Sequence, residues 1–249
     1  MTFMGADMAN ESRESKLNAA FVAVADTLTA DYDVVDLLHT LVSECTEILD
    51  AQAGGLMLAQ PGEALQLVAS TSERVELVEV MQLSAGAGPC LDCYRIGESI
   101  DVPDIAVTTS TWPEFAAIAL QHGFHSVHAT PLRLRGDVIG TMNLFRTFAG
   151  AFPSADADVA QALADVATIG ILHERISSQT GLVVSQLQHA LDSRILIEQA
   201  KGVLAQSASL GMDDAFGMLR RYARSHAITL RAVASGVVDR TIGIEALVA

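Results

Sequence analysis

Positive charge is what this chain lacks most. Its 249 residues carry 15 Lys and Arg against 30 Asp and Glu, a formal net charge of −15 at pH 7. A uniform anion of that size repels phosphate, so the total by itself argues against a nucleic-acid partner. Cysteine is also scarce: Cys45, Cys90 and Cys93 make an odd set of three, which suits a reducing cytoplasm. No run of eighteen apolar residues occurs, so no membrane-spanning helix is expected. The opening MTFMGADMANESRESK has neither a basic n-region nor an apolar h-region, so we expect no secretory signal and a cytoplasmic location. The signatures of catalysis are missing too. There is no G-x-S-x-G elbow, phosphate-binding P-loop, H-E-x-x-H or kinase set, and we expect no enzyme, no cofactor and no metal site. Charged residues make up only 18% of the chain and hydrophobic ones 50%, enough to fill one large or two modest cores.

The few cations are unevenly placed. From Ser185 onward seven Lys and Arg face six acids, a net +1, which leaves −16 on everything before. Between Lys201 and Arg231 there are five bases and two acids. An acidic body with one basic end outweighs the argument from total charge and permits nucleic acid at that end. The patch is small, so useful affinity calls for two copies and hence a homodimer.

That basic end reads as three short helices. The first, LDSRILIEQAKGVLAQ, turns Ile197, Ala200, Val203 and Leu204 inward and sets Arg194 and Lys201 in line on one outer face, with Lys201 toward solvent. Gly202, in mid-helix, costs about 1 kcal/mol and implies that another backbone passes close by. The second, DDAFGMLRRYARS, buries Ala215, Phe216, Leu219, Tyr222 and Ala223 and exposes Arg220, Arg221 and Arg224. Asp213 and Asp214 suit its N-terminal dipole. Thr229 is a fitting N-cap for the third, LRAVASGVV. The Ala200-Lys201-Gly202 core, Leu219-Arg220 and Val233-Ala234, in register, resemble the ANTAR domain of transcription antiterminators. The resemblance implies binding to paired RNA hairpins in nascent transcripts, which keeps a terminator from forming. On it we place the RNA-binding set at Arg194, Lys201, Gly202, Arg220, Arg221, Arg224 and Arg231.

Upstream, hydrophobic spacing predicts helices from about Glu14 to Leu28 and from Val34 to Leu49. Ala53–Ala59 and Leu65–Ser70 read as a strand hairpin. ERVELVEVMQL reads as a helix, and the glycine-rich SAGAGPCLDC enters a further one. SIDVP follows as a short strand, then a helix from Pro113 to His122. HSVHATPLRLR and VIGTMNLFRT make a second hairpin about Gly136-Asp137, and a closing helix runs from Ser154 to about Ser178. This is an α+β sandwich. ATPLRLRGDVIGTMNLFR and GAGPCLDCYRIGESIDVPDI resemble a GAF domain, which implies a PAS-like antiparallel sheet with a sensor pocket. The pattern of cyclic-nucleotide GAF domains is absent, so the ligand is unknown.

The expected organisation is an N-terminal helical segment (1–30), a GAF sensor (31–175), a connecting helix or coiled coil (176–190) and an all-α ANTAR bundle of three helices (191–249). In the connector SSQTG reads as a break, and Val184, Leu187 and Leu191 keep a three-four spacing that suits either a short coiled coil or packing within the bundle. Cys90 and Cys93 at a helix start admit a disulfide switch, or two small residues in a pocket wall. Nearby Asp92 opposes thiolate formation and Arg95 favours it. With His128 and Thr130 they form the candidate sensor pocket. His122, His125 and His128 recur at three-residue intervals, but a helix end and a strand start separate them, so a shared metal site is disfavoured. Two other readings stand beside the RNA one: a DNA-binding helix-turn-helix regulator, and a redox or metal sensor whose C-terminal bundle only dimerises.

Overall fold

A computed structural model describes residues 15–25, 34–59, 64–134, 136–177 and 183–248. Helix α1 covers residues 15–25 and α2 Val34–Ile48; strands β1 (Ala53–Leu58) and β2 (Gln66–Ser70) follow. Helices α3 (Glu73–Ala85) and α4 (Pro89–Ile96) lead to β3 (Ile100–Val102), a short 3-10 turn at Ile105–Thr108 and α5 (Pro113–Gln121). The long hairpin β4 (Ser126–Leu134) and β5 (Asp137–Arg146) precedes α6 (Ser154–Ser177). The C-terminal part comprises α7 (Val183–Ala208), α8 (Met212–His226), α9 (Leu230–Val238) and α10 (Ile244–Val248).

The five strands form one antiparallel sheet in the order β2-β1-β5-β4-β3. Because successive side chains alternate, the sheet serves two separate cores. Leu56, Leu132, Met142 and Leu144 face α2 and α6, whereas Ala53, Val127 and Phe145 face α3 and α5. Two adjacent glycines let helices settle close on both sides of β1. A Cβ on Gly54 would lie 2.7 Å from Val42 of α2, and one on Gly55 would lie 2.7 Å from the Glu79 carboxylate of α3. The register pairs Leu134 with Asp137, so Asp137 opens β5 instead of sitting in the hairpin turn.

Helix α2 is covered on more than one side, so that His39 and Ser43 are buried along with its apolar residues. Leu37, Leu38, Leu41, Val42 and Cys45 are buried, and the core they belong to continues without a break into Ile197, Leu204, Phe216, Leu219 and Val233 of the C-terminal helices. Each such side chain contributes about 1.5–3 kcal/mol when fully buried. The sensor and the bundle therefore share one apolar cluster.

The C-terminal helices depart from the sequence reading in three respects. The described parts of the connector are the last two residues of α6 and the beginning of α7, which runs through into the first bundle helix; the side chains of Val184 and Leu187 lie outside the described residues. A fourth, short helix, α10, joins the three expected, and Ile242 just before it packs where a side chain on Gly236 would stand. In α7, Ile197, Ala200 and Leu204 are buried as expected, but Val203 is 37% exposed and its place is taken by Lys201 at 4%. The inward stripe is thus rotated from the one the sequence suggests. Helix α8 begins at Gly211 with no side-chain cap, and Asp213 and Asp214 in its first turn complement the dipole instead. Thr229 caps α9, its hydroxyl accepting from the Ala232 N–H.

Candidate nucleic-acid interface

Helix α8 carries its cations along one edge. Arg221 and Arg224 are exposed and Arg220 is half-buried. Together with Gly217 they form one wall of a cleft of about 410 Å³, whose other wall is the sensor: Ser43, Glu44, Thr46 and Glu47 of α2, with Ala51 and Thr71. Among the described residues no ion pair closes that gap between the arginines and Glu44 or Glu47. Burial and the neighbouring Arg224 push Arg220 below its ordinary pKa, while Glu44 and Glu47 across the cleft oppose the shift.

The other cations of the expected set are committed inside the molecule. Arg194 pairs with Glu76 of α3 and donates to the Leu67 carbonyl at 3.2 Å. Arg231 donates to Ser193 Oγ at 2.7 Å. Lys201 does not face solvent: its Nζ lies 2.8 Å from both oxygens of Glu198 and 5.7 Å from the centre of the Phe216 ring. Helical phase alone misplaces it because Glu198, three residues before, pairs with its amino group under cover. Gly202 is exposed, and a Cβ there would meet nothing within 4 Å, so no neighbouring backbone explains it. The structure brings Arg220, Arg221 and Arg224 together and leaves the remaining four outside that cluster.

At the same boundary His39 of α2 is buried against Phe216, with ring centres 5.2 Å apart, and neither ring nitrogen has a hydrogen-bond partner. Burial, with the charges of Arg220, Lys201 and Arg194 around it, pushes its pKa down to about 3, so the ring is neutral.

The sensor interior holds a polar cluster on the α3–α4 side of the sheet. Glu79 is fully buried; its two oxygens accept from Asn143 Nδ2 at 2.6 Å and Gln82 Nε2 at 2.7 Å. The Gln82 oxygen in turn accepts from the Cys90 N–H at 3.3 Å. Asn143 Oδ1 and Thr141 Oγ1, on the same face, are buried without a partner. Burial drives Glu79 up to about 8, although hydrogen bonds from Asn143 and Cys90 oppose it. Cys90 and Cys93 are both free thiols at 0% exposure. Burial, then the nearby Glu79, holds Cys90 well above the usual thiol range, and burial pushes Cys93 up to about 12 against the pull of Arg133.

The four candidate pocket residues are not one set. His128 stacks on Phe152 at 4.5 Å and, with Thr130, points to the α2–α6 face, so the sheet stands between them and the two cysteines. Alternation in β4 puts His128 and Thr130 together, as expected, but on the far side. His122 ends α5, His125 precedes β4 exposed, and among the described residues no cluster of three metal-ligating side chains occurs. No helix among them is long and apolar enough to cross a membrane.

A sheet with helices on both faces, followed by a helical bundle with an arginine edge, agrees with the family models. The GAF domain model matches residues 31–171, more than half of the chain, and the ANTAR domain model matches 185–238. The chain belongs to the GAF family and carries an ANTAR domain behind its sensor. The GAF domain of an Acinetobacter phosphoenolpyruvate-protein phosphotransferase has a similar fold at 15% identity, with a TM-score of 0.53 over 73% of this chain and 100% of that one. The GAF domain of a Coxiella burnetii phosphoenolpyruvate-protein phosphotransferase is similar at 16% identity, with a TM-score of 0.52 over 67% and 98%. No curated protein matches the chain.

Reading the sequence missed the GAF polar cluster. Val75, Val78, Glu79 and Gln82 share one buried face of α3, while Leu77, Val80 and Met81 are exposed. The helical period is visible there, but its inner face is half polar while large apolar residues stand on the outer one, against the usual assignment. The signal that identifies it is Gly55, the small residue that makes room for the Glu79 carboxylate.

Two outcomes follow for this GAF–ANTAR chain. Lys201→Glu sets two carboxylates together in the ANTAR core and should cost on the order of 3 kcal/mol in stability, read from a urea transition; an unchanged midpoint contradicts the buried placement. For Glu79, the folded chain keeps between pH 4.5 and 8 a proton that the unfolded chain has lost. Stability from this group therefore falls as pH rises through that window. Glu79→Gln should gain on the native chain by a few kcal/mol between about pH 5 and about pH 8 in paired denaturation curves. A difference independent of pH contradicts a raised pKa.

Proposed function

We propose that this GAF–ANTAR regulator binds hairpin RNA through its C-terminal bundle and thereby controls transcription termination, as an antiterminator gated by its sensor. It acts as a homodimer in the cytoplasm, without catalysis, each bundle taking one of a pair of hairpins in a nascent transcript. The observation that carries this is the Arg220, Arg221 and Arg224 edge of α8, on a bundle that the ANTAR model matches. Guanidinium groups present flat donor forks to phosphate oxygens, and three along one helix edge follow a backbone. Each phosphate neutralised releases a counterion, so affinity falls with salt. Arg194, Lys201, Gly202 and Arg231 remain part of the proposed surface: Gly202 as open helix surface that a backbone can approach, the cations as groups that reach RNA only on rearrangement. The signal enters at the Glu79, Asn143 and Thr141 side of the sheet, walled by Cys90 and Cys93, whose raised pKa values favour a ligand over a redox signal. His128 and Thr130 lie behind the sheet, toward the helices that meet the bundle.

The test titrates the full chain with a two-hairpin RNA and with duplex DNA at roughly 50 and 200 mM salt, and measures stoichiometry. RNA should bind more tightly at low salt, two chains per paired hairpin, and Arg221→Ala with Arg224→Ala should weaken it by about tenfold or more. Equal affinity for duplex DNA points to the helix-turn-helix reading instead. Binding of neither by the native chain rejects the proposal.

A further inference from the structure

Phosphate contacts fix where a protein sits on RNA but carry no sequence information, so the α8 arginines alone leave one hairpin indistinguishable from another. Unpaired bases are held by stacking on side-chain rings as well as by their edges. From Ser185 onward the chain has no Trp, one Phe (Phe216) and one Tyr (Tyr222), and Phe216 belongs to the core. Tyr222 is half-buried and carries the exposed ring of His226, one turn later in α8, with ring centres 3.9 Å apart and planes 17° from parallel. We infer that this stacked pair is a base-binding site, taking an unpaired base of the RNA against the outer face of the His226 ring. It rests on the RNA reading above and adds the place where the bundle touches a base.

The two rings are fixed from within the bundle. Tyr222 packs against the apolar core that Leu219 and Ala223 enter. His226 Nδ1 lies 3.0 Å from the Tyr222 carbonyl oxygen and 3.0 Å from Ser225 Oγ, contacts that hold the imidazole over the phenol ring. Ser225 Oγ in turn donates to the same carbonyl at 3.1 Å. His226 Nε2 and the Tyr222 hydroxyl have no hydrogen-bond partner among the described residues, so both can meet the edge of a base. The backbone turns away directly after, at Ala227 with φ 51°, and leaves His226, Ala227 and Ile228 exposed. A ring already held in place loses little rotamer freedom when a ligand settles on it.

Position on the helix joins this platform to the arginine edge. At 3.6 residues per turn Tyr222 stands about 100° round α8 from Arg221, and Arg221 and Ser225 lie on the arc between it and Arg224. Arg221, Arg224 and Ser225 are all exposed. A strand whose phosphates follow the two arginines therefore brings a neighbouring base to His226 without leaving the helix. The same two cations favour a nucleotide over an uncharged aromatic side chain as the occupant. Every base offers a ring face, but a paired base is already stacked inside its own helix. Stacking on His226 thus separates an RNA with unpaired bases from continuous duplex, a distinction that arginine contacts to phosphate do not make.

The test measures affinity of the full chain for the two-hairpin RNA across salt, in the native chain, His226→Ala and His226→Phe, and repeats it with an abasic site at each unpaired position of the RNA in turn. His226→Ala should weaken binding by about tenfold with the salt slope unchanged, because no phosphate contact is lost, and His226→Phe should bind as the native chain does. One abasic position should cost the native chain about as much and cost His226→Ala nothing further. Full affinity in His226→Ala, while Arg221→Ala with Arg224→Ala weakens binding, overturns the site and leaves the RNA reading standing. An equal loss in His226→Phe shows that the ring face does not matter, and overturns it too. A loss in His226→Ala that adds to that of every abasic position, or that lowers the salt slope by about one unit, belongs to the fold or the RNA backbone and also overturns it. No binding by the native chain removes the RNA reading and the site together. Should His226→Ala fail to fold, Tyr222→Leu, which keeps an apolar side chain on the core, takes its place with the same outcomes.

Discussion

Everything in this molecule depends on α2 having two partners. One side of the helix lies on the sheet, where Gly54 lets Val42 approach β1, and the other meets the C-terminal bundle through His39 and Phe216. A helix so placed is buried on both of those sides, and it leaves one edge for charge. That edge is where Glu44 and Glu47 stand. Apolar packing thus fixes which sensor charges confront the bundle, and the electrostatics follow from the packing.

The charge distribution then acquires a physical role. A body at −16 joined to an end at +1 attracts its own basic face. The bundle's cations divide accordingly into those bound tightly, Arg194 with Glu76 and Lys201 with Glu198, and those held only at a distance, on α8. Tight pairs organise structure; loosely opposed charges remain available for exchange with another anion.

Much of this was legible in the sequence because its cues are local. Periodicity placed α2, the β4–β5 hairpin and the three main bundle helices; Thr229 and the Asp213-Asp214 pair marked helix starts. The register of Ala200-Lys201-Gly202 with the later motifs indicated the C-terminal domain from the chain alone. What was not legible depends on contacts distant in sequence. Lys201 looked exposed because a polar residue flanked by helix formers usually is, and only Glu198 and Phe216 make its burial tolerable. Glu79 was passed over because a buried carboxyl needs partners from α3 and β5 at once. His128 and Thr130 were grouped with the cysteines for want of knowledge of which sheet face α4 covers, and strand alternation alone does not say.

Ultraviolet crosslinking of a two-hairpin RNA to the full chain, with the crosslinked peptides identified by mass spectrometry, bears most directly on the proposed RNA contact at the arginine edge of α8. Binding there predicts crosslinks within Met212–His226. Crosslinks confined to the sensor would contradict it.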